Sequence, residues 1–242
     1  MAKTLIMLKE IIDKYYQDKR DERDKERFYV SDAGKCPRQI FFKFKKAPRK
    51  EMEPRILRIF DQGDYVHLRL MRDLFSLGIV VASEIDIPPQ EDIGGRADAI
   101  VRINNELYLV DFKSINSTIL QKMDAPKEEH VLQVQLYLHF FKLKKGILLY
   151  EGKDNSMLKE FLVEYDEKKA KKVLEDFNHL KINLEKDLVP RQLSDFPQNW
   201  QCQYCQFREI CEIAGRDNIQ WEELKKKIQE ESNSESNSEG KK

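Results

Sequence analysis

The sequence predicts an α/β fold, and the order of its apolar patterns is the basis of that prediction. Apolar residues recur at helical spacing over 54–77 and again over 126–142. Between these helices lie three runs rich in Val and Ile, at about 79–87, 96–104 and 107–113, separated by the turn sequences "PPQEDIGG" and "NNE". We expect an antiparallel meander of three strands, and two further strands after the second helix, at "GILLYEG" and "KEFLVEYD".

Composition limits the class of protein. At 242 residues and 40% hydrophobic content, the chain can bury one substantial core with a small appended subdomain. Lys plus Arg equals Asp plus Glu, at 43 each, so a nucleic-acid partner would be held by a local basic patch. No run approaches ~20 apolar residues, and "TLIML" is too short for a signal peptide. We expect a cytoplasmic protein with no membrane partner.

Changes in composition divide the chain into segments. The ends are strongly charged or polar, and the Val-rich and Ile-rich runs lie in the middle. The predicted segments are a charged N-terminal helix (1–30), a helical segment with the first cysteine and a basic stretch (31–78), the core (79–165), a helix with a cysteine-rich segment (166–215), a terminal helix (216–231) and a disordered tail (232–242).

Two carboxylates are expected at one edge of the sheet. Asp98 in "GGRAD" and Asp111 in "VDFKS" lie on strands joined by the short "NNE" turn, and adjacent strands are ~4.8 Å apart. Two such carboxylates would share one hard cation. His67, on the preceding helix, would add an imidazole nitrogen, although a lone histidine on a partly apolar helix is more often structural.

Lys113 lies two residues after Asp111 and shares its strand face. Hydrolysis of a phosphodiester needs a divalent metal to activate water and an ammonium to stabilise developing negative charge, and Lys113 would supply the ammonium. Oxygen ligands indicate magnesium or manganese, and a histidine ligand favours manganese. The acid-x-lysine spacing alone is weak, and the alternative is a strand end in contact with water. The same spacing recurs at Glu151, Asp166, Glu167, Glu223 and Glu239.

The four cysteines form a second constellation. Cys202 and Cys205 make a C-x2-C pair, Cys211 follows, and Cys36 lies far upstream. In a cytoplasmic protein this pattern favours a metal or redox site over disulfides. Coordination by cysteine alone permits zinc or an iron–sulfur cluster, and one remote cysteine with a group of three slightly favours the cluster. Buried free thiols are the remaining alternative.

A basic stretch with interleaved phenylalanines follows Cys36. Its cations would contact DNA phosphates, while Phe41, Phe42 and Phe44 would stack on unpaired bases or enter the core. We expect Phe41 and Phe44 to be buried. The candidate DNA contacts are Arg38, Lys43, Lys45 and Lys46.

Four motifs together resemble a known family. "GDYVH", "GGRAD", "VDFKS" and "QVQLY" follow the order found in the RecB-like branch of the PD-(D/E)XK nucleases, over roughly residues 31–211. The resemblance implies a restriction-endonuclease-like core, with a mixed central sheet flanked by helices, and a cysteine-bound cluster subdomain formed by N- and C-terminal segments. The site residues it implies are His67, Asp98, Asp111 and the Phe112 carbonyl as ligands of Mn2+ or Mg2+, Lys113 as the catalytic lysine, and Gln133 and Tyr137 beside the active site and the DNA path.

The cysteine pattern extends this resemblance. One cysteine before the core and C-x2-C-x5-C after it is similar to the iron–sulfur RecB-like exonucleases, which implies one 4Fe-4S cluster on all four cysteines. "CPRQIFF" resembles the stand-alone CRISPR-associated members, and the chain has no G-x4-G-K-[ST] motif of a helicase motor.

The activity that the resemblance implies is that of an exonuclease on single-stranded DNA ends. It would trim fragments for CRISPR spacer acquisition, with the CRISPR integrase complex as a partner. The alternatives are a non-catalytic iron–sulfur DNA-binding adaptor, a zinc-stabilised scaffold and a viral or mobile-element recombination nuclease.

Overall fold

The computed structural model describes residues 7–19 and 25–239 of the chain. Within that part, every helix is too short or too polar to span a lipid bilayer. The helices are α1 (Leu8–Asp18), α2 (Pro37–Phe44), α3 (Pro54–Ser76), α4 (Ser117–Gln121), α5 (Glu128–Phe141), α6 (Glu167–Glu185), α7 (Trp200–Gln203), α8 (Arg208–Ala214) and α9 (Trp221–Glu239), with a 3₁₀ turn at Val30–Asp32. The strands are β1 (Phe28–Tyr29), β2 (Val80–Asp86), β3 (Ile93–Gly94), β4 (Arg96–Ile103), β5 (Glu106–Ile115), β6 (Lys145–Gly152), β7 (Leu158–Glu164), β8 (Leu188–Val189) and β9 (Ile219–Gln220).

The chain separates into two compact units. The first contains α1, Arg27–Gly34 and Met52–Lys171. The second contains Lys35–Glu51 and the chain from Lys172 onward. The second unit therefore combines an N-terminal with a C-terminal segment, and all four cysteines belong to it.

A five-stranded mixed sheet forms the centre of the first unit. Its strand order is β2-β4-β5-β6-β7. The β5–β6 pair is parallel and the other three pairs are antiparallel. The predicted meander, β2-β4-β5, is confirmed, and so is the α/β class with a mixed sheet. The parallel step from β5 to β6 is made through α4 and α5, because parallel neighbours need a long crossover.

Helix α3 packs on one face of this sheet. Val66 and Leu70 form a buried cluster with Ala99, Val101 and Phe112 of β4 and β5. Successive strand residues point to opposite faces, so this cluster uses one residue in two along each strand. The prediction assigned α3 to a segment separate from the core, and the structure corrects it by placing α3 in the sheet-containing unit.

Helix α5 covers the other face. On β5, Phe112 contacts the α3 cluster, whereas the next residue, Lys113, reaches Gln133 of α5. At the start of β6, a Cβ built on Gly146 would lie 2.7 Å from Val134 Cγ1. The absence of a side chain at Gly146 therefore allows α5 to approach the strand closely.

The second unit has its own aromatic core. Phe41 and Phe42 of α2 are fully buried and pack against Trp221, and Phe42 also contacts Phe207. Phe44 is only half-buried. The expected burial of Phe41 is confirmed, that of Phe44 is met in part, and the buried rings of Phe41 and Phe42 cannot stack on bases.

The two ends of the chain differ from the prediction. The first helix covers Leu8–Asp18, and Phe28–Tyr29 is a strand paired with β3, so the predicted helix over 1–30 is too long. Helix α9 continues to Glu239, so the described part of the predicted disordered tail is helical. Adding residues to an existing helix costs little after nucleation, and α9 is anchored by Trp221 and Leu224. Residues 1–6, 20–24 and 240–242 lie outside the described residues.

The packing of α3 generates a stability prediction. Leu70→Ala should lower the free energy of unfolding by about 2–5 kcal/mol, because Leu70 is 5% exposed and its removal leaves a cavity. Leu68→Ala, on the same helix at 67% exposure, should change it by less than about 0.5 kcal/mol. Equal effects in chemical denaturation would contradict the proposed packing of α3.

Candidate active site

The candidate site begins where β4 and β5 separate. The two strands pair from Ile103–Glu106 to Ala99–Val110, and the next residue on each is an aspartate. Beyond this point the Asp98 side chain replaces a backbone acceptor, because its Oδ2 accepts a hydrogen bond from the Phe112 backbone N–H at 2.7 Å. Asp98 and Asp111 therefore lie opposite each other at one sheet edge, as the sequence predicted.

Asp111 has a buried oxygen without a hydrogen-bond donor. The residue is 2% exposed, and its Oδ2 lies 2.5 Å from Lys113 Nζ. That contact is an ion pair without hydrogen-bond geometry, and no other group in the described residues donates to Oδ2. Burial raises the pKa of Asp111, the charge of Lys113 lowers it, and the Asp98 carboxylate raises it. The pKa is raised overall. A buried carboxylate that faces a second carboxylate, with one ammonium as its charge partner, suits a cation.

His67 approaches the same carboxylates from α3. Its Nδ1 is 3.6 Å from Asp98 Oδ2, and its ring meets Phe112 edge-on, with centroids 5.7 Å apart. Burial lowers the pKa of His67, but the contact with Asp98 and the charge of that carboxylate outweigh burial, so the pKa is raised overall. The structure thus brings His67, Asp98 and Asp111 to one place.

Two residues of α5 support this group. Lys113 Nζ donates to Gln133 Oε1 at 3.2 Å, so the amide positions the ammonium. Tyr137 is 3% exposed and its hydroxyl donates to the Arg96 carbonyl at 2.7 Å. Burial raises the pKa of Tyr137, which remains a neutral donor. Tyr137 therefore ties α5 to β4 two residues before Asp98, as a buried support.

The donor set fits a divalent cation, although the side chains are not in a closed ligating arrangement. Among residues 7–19 and 25–239, no three His, Cys, Asp or Glu side chains would hold a metal ion as they stand. The Lys113 ammonium lies beside Asp111, where it satisfies the carboxylate's charge. Direct binding of a cation to both oxygens of Asp111 would require the ammonium to move away.

A second ion pair fixes α3, and the sequence analysis missed it. Glu151 of β6 is 2% exposed and pairs with Arg69 of α3, two residues after His67. On the same helix, a Cβ built on Gly63 would lie 3.0 Å from Ser114 Oγ. The signal in the sequence is an acid inside the apolar run "GILLYEG", where Glu151 also begins one of the acid-x-lysine spacings.

The four cysteines gather in the second unit. Cys36, Cys202, Cys205 and Cys211 line one cavity, and all four are free thiols. The Cys36 backbone N–H donates to Gln201 Oε1 at 2.8 Å, which ties the remote cysteine to the cysteine-rich segment. The cavity brings together the cysteines that the sequence analysis grouped, but among the described residues no three of them stand in an arrangement that would hold a metal ion.

The basic candidates have different environments. Arg38 is 1% exposed and donates to backbone carbonyls, including those of Pro190 and Gly215. The prediction that Arg38 contacts DNA is therefore wrong, because its guanidinium is enclosed by protein. Lys45 donates to the Leu184 carbonyl and pairs with Asp187.

A mixed sheet flanked by helices, with two carboxylates and a lysine at the edge where two strands part, defines a nuclease-type active site. Residues 7–212 match the PD-(D/E)XK nuclease superfamily. The chain belongs to this superfamily and is a nuclease. Nucleases of this superfamily use divalent metals.

A curated relative and two solved structures are similar to this chain. The chain is 27% identical over 221 residues to the CRISPR-associated exonuclease Cas4 of Saccharolobus solfataricus, covering 86% of this chain and 96% of that protein. The crystal structure of SSO0001 aligns with TM-score 0.56 and 24% identity, over 85% of this chain and 96% of the other. LHK-Exo of Laribacter hongkongensis, crystallised with dAMP, aligns with TM-score 0.51 and 14% identity, over 68% and 90%. These two structures share the fold.

The geometry at Asp111 generates a prediction on metal binding. Saturating Mn2+ should raise the thermal stability of metal-free protein, because a ligand at about 100 times its Kd stabilises the folded state by about 2.7 kcal/mol. Asp111→Asn should lose most of this shift. Asp73→Asn, an exposed acid on α3, is the matched control and should keep it. Equal shifts in both variants would show that manganese binds elsewhere.

Proposed function

We propose that the protein is a divalent-metal-dependent deoxyribonuclease that degrades single-stranded DNA from its ends. The observation that carries the proposal is the buried Asp111 carboxylate, with Asp98 opposite and Lys113 Nζ 2.5 Å from its Oδ2. Two acids and an ammonium at one strand edge are the groups that phosphodiester hydrolysis requires.

The proposed ligands of the catalytic cation are His67, Asp98, Asp111 and the Phe112 carbonyl. When bound, the cation supplies an activated water and shields the phosphate charge. Lys113 exchanges its contact with Asp111 for a phosphate oxygen, and there stabilises the negative charge that develops during attack. Gln133 holds the ammonium within reach during this exchange. Asp98 keeps the strand end in place through the Phe112 N–H.

The proposed biological role is trimming of DNA fragments before CRISPR spacer acquisition, with the CRISPR integrase complex as a partner. The support is the similarity at 27% identity to a CRISPR-associated exonuclease, over most of both chains. Lys43 and Lys46 remain proposed DNA contacts in the basic stretch. The presence of both acids and the lysine argues against a non-catalytic adaptor.

We also propose that Cys36, Cys202, Cys205 and Cys211 hold one 4Fe-4S cluster. They are the four cysteines of the chain, and all four line one cavity in the second unit. A purely sulfur donor set suits an iron–sulfur cluster or zinc. We propose the cluster over zinc because the cysteine spacing of this chain resembles that of the iron–sulfur RecB-like exonucleases.

Digestion of end-labelled single-stranded DNA with Mn2+ or Mg2+ tests the activity. Lys113→Ala should cleave about 10²- to 10³-fold more slowly, the usual cost of removing one preorganised electrostatic group. Its affinity for the DNA should stay within about twofold of wild type. Lys145→Ala, which removes a surface ion pair with Glu106, is the control and should cleave normally. Normal cleavage by Lys113→Ala would overturn the mechanism, and release of internal fragments alone would overturn attack from the ends.

The cluster is tested separately from catalysis. Anaerobically purified protein should be brown and contain iron and acid-labile sulfide. Cys205→Ala should lose colour and thermal stability together, because metal-binding energy is partly folding energy. Asp98→Asn should keep the colour and lose cleavage. Colourless wild-type protein with stoichiometric zinc would replace the cluster by a zinc-stabilised scaffold.

A further inference from the structure

Arg38 is a fully buried cation in the second unit. It is 1% exposed, and its Nε donates to the Pro190 carbonyl at 2.7 Å. Nη1 donates to the Gly215 carbonyl at 2.7 Å, and Nη2 to the Asp217 carbonyl at 3.0 Å. Nη1 also lies 3.2 Å from the carbonyl oxygen and 3.4 Å from the Sγ of Cys211. Within residues 7–19 and 25–239, no carboxylate forms an ion pair with it.

This arrangement satisfies the hydrogen bonds of the guanidinium but does not neutralise its charge. Arginine keeps its proton in proteins, so the buried guanidinium of Arg38 carries a positive charge. A buried charge without an opposite charge is destabilising, even where carbonyl dipoles surround it. An anion close to Arg38 would offset this cost.

The four-cysteine site would be an adjacent anion once its thiols give up their protons to a bound cluster. Arg38 lines the same cavity as the four cysteines, and one of their sulfurs is its direct contact. Arg208 also lines this cavity, but it differs because it is half-exposed and pairs with Glu212 at 3.3 Å. Arg38 is therefore the buried cation at this cavity that has no carboxylate partner in the described residues.

We propose that Arg38 is the counter-ion of the cysteine-bound cluster, and that its charge sets the reduction potential of the cluster and helps to retain the iron. The proposal rests on the cluster proposed above. Thiolates around one iron–sulfur core leave the site negatively charged, and nearby charges and N–H···S contacts set its potential. A fixed cation favours the reduced form, since reduction adds negative charge.

Two neutral amide side chains also approach the cysteine sulfurs and can be compared with the charged Arg38. Gln192 Nε2 lies 3.6 Å from Cys211 Sγ, and Gln39 Nε2 lies 3.8 Å from Cys205 Sγ. These amides orient dipoles toward sulfur without carrying charge. If charge is what matters at Arg38, removing it will affect the cluster more than removing either amide.

The first test compares wild type with Arg38→Gln and Arg38→Lys, all purified anaerobically. Iron and sulfide content, the rate of iron loss to a chelator and the midpoint potential are measured. Arg38→Gln should shift the potential to more negative values and lose iron about 10-fold faster, the effect typical of a group that contacts a metal ligand. Arg38→Lys should keep a potential near that of wild type, while its thermal stability falls because an ammonium cannot reach all the carbonyls.

Gln192→Glu separates charge from scaffolding if Arg38→Gln fails to fold. It places a carboxylate beside the guanidinium and leaves the bonds from Arg38 to the carbonyls in place. A negative shift of the potential would show that charge at this point reaches the cluster, as the counter-ion role requires, whereas an unchanged potential would overturn that role. Gln39→Ala is the control and should shift the potential less.

The outcomes are distinct. An unchanged potential and unchanged iron retention in Gln192→Glu, and in Arg38→Gln where it folds, overturn the counter-ion role and leave the cluster intact. Wild-type protein without iron overturns the cluster, and this inference with it. A negative shift in the charge variants, with Arg38→Lys near wild type, supports both.

Discussion

The active site depends on one hydrogen bond at the point where β4 and β5 part. Up to Ala99–Val110 the strands pair through their backbones, and beyond it the Asp98 carboxylate accepts the Phe112 N–H at 2.7 Å. A side chain therefore takes the place of a ladder partner and keeps both acids opposite each other. Helix α3 places His67 at this edge, and α5 holds Lys113 through Gln133. A shift of α3 would move His67 away from the acids, and a shift of α5 would remove the contact that holds the Lys113 ammonium.

The first unit contains the proposed catalytic residues, and the second contains the four cysteines. In the first, the buried charges are arranged so that Asp111 lacks a full hydrogen-bond complement, which leaves it disposed to bind a cation. In the second, segments 35–51 and 172–239 form an aromatic core and a sulfur-lined cavity with Arg38 beside it. The proposed cluster would contribute its binding energy to folding, because the cysteines come from distant parts of the chain. In each unit, the proposed functional groups thus lie beside a buried charge, Asp111 in the first and Arg38 in the second.

The sequence could predict the sheet and the acids because both follow from short-range periodicity. Alternation in "ELYLVDFKS" orients Asp111 and Lys113 to one face, and helical spacing identifies α3 and α5. The burial of Arg38 could not be predicted, because the carbonyls that enclose it lie more than 150 positions away. The same holds for Glu151, whose partner Arg69 comes from an earlier helix. Periodicity reports which face a residue occupies and is silent about long-range polar partners.

We propose that Asp98 and Asp111 share one cation at the edge where their strands separate. Anomalous diffraction from crystals of the wild-type protein grown with Mn2+ would locate this cation. We expect one manganese peak in direct contact with both carboxylates and with His67, with the Lys113 ammonium moved away from Asp111. Strong manganese peaks elsewhere, with Lys113 still paired to Asp111 and no peak between the two acids, would contradict it.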